Sequence, residues 1–227
     1  MSNKLLIVVS FLLLLPLRQV RAQGYFLDNP DVKLEYVRKS VSDGKFVWRH
    51  TLRITGIADK GTSAEYTTES DFTKQNGKQL FHSAVVETTV VDKNTGNVTM
   101  NVGEAAASYI EARTGLNATG QSRPSSMPAT LEPGDTLQSV YSTIKVGPLT
   151  YTVVFKERKV LRRETISVPA GTFDCIVLSE QRQEKGPGYN RDKTNVSWYC
   201  KGVGYVRHDT YIKGKLDTSE ILYSIGQ

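Results

Sequence analysis

The sequence predicts a mainly all-β protein: a curved antiparallel meander forming a half-barrel or incomplete barrel, with at most one short helix near residues 104–114. Three observations carry that expectation. Tyr, Thr, Val and Ile dominate the chain beyond residue 32, and turn residues recur roughly every ten to fifteen positions, the rhythm of an all-β domain. No crossover helices separate the apolar runs, so neighbouring strands must run antiparallel. About eleven strands result, near the limit at which an open sheet curls or closes.

Residues 1–22 have the layout of a signal peptide. Lys4 gives a positive start, Leu5 to Leu15 form an apolar run broken only by Ser10, and Val20-Arg21-Ala22 presents small residues at cleavage spacing. Cleavage is expected before Gln23. The run is shorter than the roughly 20 apolar residues of a spanning helix, so no transmembrane segment is expected after cleavage. Residues 23–32, with Gly24 and Asp28-Asn29-Pro30, form a turn-rich N-terminal arm, and residues 33–227 form a single β-rich domain. Removing Lys4, Arg18 and Arg21 lowers the formal charge from +6 to +3. So balanced a chain gives no basis for nucleic-acid binding, which needs a clustered basic face. The expected location is the periplasm, the outer membrane's surface or the exterior.

The elements follow in order. Residues 34–38 and 46–54 flank Asp43-Gly44, a strong hairpin signal because both residues tolerate positive φ. Residues 63–72 and 79–91 read as strands separated by Asn76-Gly77, and Asn94-Thr95-Gly96 turns into another at 97–102. Alanines at 105–107 favour a helix over 104–113, with Gly115 as its cap. Residues 117–130, holding Gly120, Pro124 and Pro128, read as a flexible loop. Beyond Pro133-Gly134-Asp135 the strands are cleaner. Leu149, Tyr151, Val153 and Phe155 are read as alternating with polar or small residues, so one face should be buried there.

The most specific segment joins the chain's only two cysteines. With a turn centred on Pro187-Gly188, Val177 pairs with Trp198, Ile176 with Tyr199, and Cys175 with Cys200. Apolar then meets apolar throughout, and a one-residue slip would turn Trp198 to the wrong face. Directly opposed cysteines in an exported chain predict a Cys175–Cys200 disulfide. Two cysteines without a nearby histidine lack the ligands of a structural zinc site. No metal or cofactor is expected.

The motif Val168-Pro169-Ala170-Gly171-Thr172-Phe173-Asp174-Cys175, the block Trp198-Tyr199-x-Lys201-Gly202-Val203-Gly204 and the preceding Pro133-Gly134-Asp135 resemble the TapB family of exported bacterial proteins. The match covers residues 131–225. The resemblance implies a curved antiparallel sheet and an envelope location, and it supplies no catalytic residue. Cys200 departs from the family pattern, in which a small residue such as alanine follows Trp-Tyr. The disulfide would then be particular to this chain.

Chemistry is otherwise sparse. His50, His82 and His208 share no metal-ligand spacing and read as strand-face or surface residues. The chain has no Gly-x-Ser-x-Gly elbow, phosphate-binding glycine loop or His-Glu-x-x-His. The expectation is a protein that is not an enzyme. A curved sheet can enclose a cavity, which makes it a binding module for an apolar or lipid-like ligand, with Trp48, Tyr141, Tyr151, Phe155 and Trp198 as lining candidates. The alternative is a structural or interaction protein of the envelope, with envelope proteins as partners and a core filled by its own side chains.

Overall fold

A computed structural model describes residues 22–227; the expected signal peptide lies, but for Ala22, outside the described residues. The chain runs β1 (Lys33–Ser40), β2 (Phe46–Asp59), β3 (Ser63–Thr73), β4 (Val85–Asp92), β5 (Val98–Met100) and then α1 (Val102–Thr114). It continues through β6 (Ala118–Ser122), β7 (Ser125–Met127), β8 (Thr136–Leu137), β9 (Val140–Val146), β10 (Leu149–Val168), β11 (Gly171–Gly186), β12 (Tyr189–Cys200), β13 (Gly204–Ile212) and β14 (Lys215–Gly226). One antiparallel sheet holds them in the order β6-β9-β10-β11-β12-β13-β14-β1-β2-β3-β4-β5-β7, with β8 also against β10.

The two edge strands explain the curvature. β6 and β7 lie at opposite ends of the sheet yet are separated only by Arg123 and Pro124. Steps of 3.8 Å between successive Cα atoms hold Ser122 within about 11 Å of Ser125, so the sheet must bring its ends together. They do not pair, and the barrel stays open by one pairing. α1 sits over the gap, packed on β4 from one side and on β6 and β9 from the other. Its Asn101 cap accepts from the Gly103 and Glu104 amides and from Ser122 Oγ of β6. Gly115 closes its far end at φ 71°, its amide donating to the Glu111 carbonyl at 2.8 Å.

Three local expectations are corrected. The supposed loop at 117–130 contains β6 and β7, because pairing with β9 and β5 satisfies its backbone and overrides turn-rich composition. The strand expected over 79–91 starts only at Val85. Before it, Phe81 stacks on Phe72 at 4.5 Å, and the His82 amide donates to the Ala112 carbonyl of α1 at 2.7 Å. Helix packing has replaced strand pairing there. Leu149, Tyr151, Val153 and Phe155 show no fully buried face, since α1 covers only part of this end of β10.

The arm is built into the fold. Tyr25 and Leu27 are buried, Leu27 bridges Val203, and the Gly202 amide donates to the Gly24 carbonyl at 2.9 Å. On its other side the Phe26 ring meets Tyr66 edge-on at 5.2 Å. Gly24 also crosses the β4–β5 turn so closely that a Cβ would stand 2.3 Å from the Gly96 carbonyl oxygen. The arm thus ties the β12–β13 turn to the β4–β5 turn, far apart in sheet order.

Candidate functional site

Alternation decides which side chains face inward. β3 buries Ala64, Tyr66, Thr68, Ser70 and Phe72 on one face, so its apolar ends enclose a polar middle. β1 turns Leu34, Tyr36 and Arg38 inward, opposite Leu222 and Glu220 of β14. Strand register then lines up two polar rungs. Trp48, Arg38, Glu220, His208 and Ser197 occupy the first, across β2, β1, β14, β13 and β12. Thr218, Thr210, Asn195 and Glu180 occupy the second, and Arg158 of β10 reaches Glu180 at 3.2 Å.

Glu220 is the hub of this polar core. It is 4% exposed and accepts from Arg38 Nη1 at 3.1 Å, Trp48 Nε1 at 3.2 Å and His50 Nδ1 at 3.2 Å. Arg38 Nη2 donates onward to Thr210 Oγ1 at 2.7 Å and Thr218 Oγ1 at 2.5 Å. Burial alone would raise the Glu220 pKa, but the His50 hydrogen bond and the charges of His50 and Arg38 reverse this and bring it to about 2. Burial, helped by Arg38, pushes His208 down to about 4. Burial holds the Glu87 and Glu180 carboxyls above their ordinary range, against the pull of His50 and Arg158 respectively.

His50 is held on every side but one. Its ring lies between Tyr36 at 5.1 Å and Phe72 at 4.6 Å, both stacked. An ionised Glu220 can only accept, so Nδ1 carries the hydrogen. Nε2 is buried and has no hydrogen-bond partner among the described residues, as is Ser142 Oγ on β9. Leaving such atoms unpaired costs about 1–3 kcal/mol each.

A serine–histidine contact among the described residues is enclosed in the core. Ser197 Oγ lies 2.8 Å from His208 Nδ1, and Ser197 is 3% exposed. A histidine held near pKa 4 is a weak base at neutral pH.

The five candidate lining aromatics do not share a surface. Trp48 belongs to the polar core, with the Arg38 guanidinium 5.0 Å above its ring. Trp198 alternates with Ser197 and faces the other side, donating to Glu164 Oε2 at 2.8 Å with Arg207 and Arg162 over its ring. Tyr141 is 68% exposed. Tyr151 packs against Gly186, and Phe155 lies 5.4 Å below the Arg182 guanidinium. The residues that do converge are Arg38, His50, His208 and Glu220. Their signal in the sequence is a charged residue at an inward position of an alternating strand: Tyr36-x-Arg38, Trp48-x-His50 and Glu220-x-Leu222.

The cysteine hairpin has the expected register, with Ile176 opposite Tyr199 and Val177 opposite Trp198. Its two cysteines are nevertheless free thiols in this structure, each turned to a carbonyl of its own strand end: Cys175 to Phe173 and Cys200 to Lys201, both at 3.6 Å. Beside them lies an open cleft of about 340 Å³, lined by Tyr25, Arg163, Asp174, Ile176, Cys200 and Lys201.

Solved structures share this architecture. A presumed exported protein with a YmcC-like fold from Bacteroides fragilis is 19% identical, covers 90% of this chain and 100% of its own, and superposes with a TM-score of 0.71. A presumed lipoprotein from Parabacteroides distasonis is 16% identical, with coverages of 90% and 99% and a TM-score of 0.73. At such identity the likeness is one of fold. No curated protein matches the chain. The DUF3108-like family profile matches residues 40–222, most of the sheet together with α1, and the chain belongs to that family.

Proposed function

We propose that this is an exported envelope protein, not an enzyme, that acts as a binding module for a ligand of mixed polarity seated against the inner polar core. The TapB resemblance is part of this reading, as is the signal peptide. The observation that carries it is the buried His50–Glu220–Arg38 cluster, with His50 Nε2 left without a partner among the described residues. A barrel that only had to fill itself gains more from apolar side chains, because burying charges costs about as much as pairing them returns. Shifted carboxyl and imidazole pKa values gathered at one place are a feature that functional sites share. The polar middle of the inner face argues against a purely apolar cargo.

A self-filled interaction protein is the second reading. It is favoured by the arm and α1, which occupy the sheet's concave side and its gap with Leu27, Tyr25 and Ala107. Native mass spectrometry of protein purified from its own envelope separates the two. A discrete non-covalent adduct is expected, and a bare mass would favour the self-filled barrel. We also propose that Cys175 and Cys200 become joined in an oxidising compartment, as their facing positions allow.

A further inference from the structure

Cys175 and Cys200 stand one step beyond the last backbone pair of β11 and β12, Ile176 with Tyr199. Opposed residues of an antiparallel pair have Cα atoms about 4.5–5.5 Å apart, within the span of a disulfide. The two thiols differ in access. Cys175 is 2% exposed, covered by the apolar cluster of Val177 and Trp198. Cys200 is half-buried and lines the open cleft.

The cleft's rim carries charges of both signs, Lys201 and Arg163 with Asp174 on its wall. Lys201 Nζ lies 5.7 Å from the Tyr25 ring, and Arg163 is held in place by Glu132 at 2.6 Å and by the Leu131 carbonyl at 3.2 Å. The access of Cys200 to this cleft, set against the burial of Cys175, decides which thiol a reagent meets first. The arm forms one wall, fixed by the bond from the Gly202 amide to Gly24.

Resting on the disulfide reading above, we propose that this cleft is the docking site for a small disulfide oxidant, with Cys200 as the exchanging thiol and Cys175 as the resolving thiol. The Cys200 thiolate attacks one sulfur of the oxidant. A mixed disulfide forms, the oxidant's S–S bond breaks, and its first half leaves as a thiolate that takes up a proton. Cys175 then loses its proton and attacks Cys200 sulfur. The Cys175–Cys200 bond forms and the second half leaves as a thiol. Two protein thiols are oxidised by two electrons, and one oxidant disulfide is reduced to two thiols.

Order and durability follow from the environment. Burial pushes Cys175 up to about 12, so it is too rarely ionised to start the exchange. Burial and Asp174 raise Cys200 less. High-pKa thiols also leave slowly, so the finished bond resists reduction.

Oxidised glutathione, which is anionic, serves as the probe against the reduced purified protein, with acid quenching and intact-mass detection. Wild type is expected to pass through a transient adduct to the intramolecular disulfide. Cys175→Ser should accumulate the glutathione adduct on Cys200, and Cys200→Ser should react at least about tenfold more slowly. Cys175→Ala replaces the serine variant if the buried site rejects a hydroxyl. Equal adduct rates in the two single variants would overturn the route while leaving the disulfide standing. Wild type that never forms the internal bond would overturn both.

Discussion

Glu220 shows how much one buried side chain organises. Three donors converge on its carboxylate, so Glu220→Gln leaves the Arg38 guanidinium buried without its counter-charge. Breaking such a pair costs about 3–5 kcal/mol, measurable as a shift of the urea midpoint. Acid should expose the same residue. Its folded pKa of about 2 lies below the ordinary 4.5, so the unfolded chain takes up a proton first and stability falls as pH drops from about 4.5 to 2. His208 acts in a higher window. Depressed from 6.5 to about 4, it stays neutral in the folded state while the unfolded chain protonates, and stability is lost between those values. His208→Asn should flatten the decline above pH 4.5 and leave the lower one, as seen in denaturation curves collected across pH. The inward positions of these residues have a local signal, but their convergence does not. Arg38 and Glu220 are 182 residues apart, and only the β1–β14 pairing brings them together.

Individual elements were far more readable. The register of the β11–β12 hairpin follows from the position of its turn and from the matching of apolar partners, both local facts. The helix likewise declared itself through its alanines and Gly115. Residues 117–130 did not, because β6 and β7 are made by partners from β9 and β5, which turn composition does not reveal. The contact between α1 and β6 gives a sharp test. A Cβ on Gly120 would stand 1.7 Å from the Gly103 carbonyl oxygen, so Gly120→Ala must push the helix off the strand and should cost about 1–3 kcal/mol or more. Gly44→Ala is the comparison. A Cβ there meets nothing within 4 Å, and only its φ of 66° is penalised, at about 1–2 kcal/mol. Thermal melts that rank the two the other way would contradict the close packing of α1 on β6. The hairpin supplies a second test: closing Cys175–Cys200 should add about 3 kcal/mol or somewhat more, seen as a lower melting temperature after reduction.

At the scale of the whole molecule, an incomplete barrel is spanned by its own arm and covered at its gap by α1. The overall class was visible in strand rhythm and the lack of crossover helices. The approach of the sheet's two ends was not, since it depends on the β1–β14 pairing and on the short link between β6 and β7. What this shape encloses is the polar core, and the assignment of a ligand depends on whether His50 Nε2 meets something other than protein. The most direct measurement is the ¹⁵N NMR spectrum of the His50 ring, assigned with His50→Gln. It is recorded on protein purified from its own envelope and again after the same protein has been unfolded, stripped and refolded. The Nε2 signal should move on stripping while Nδ1, held by Glu220, stays in place. An Nε2 signal identical in both samples would contradict a ligand at the polar core.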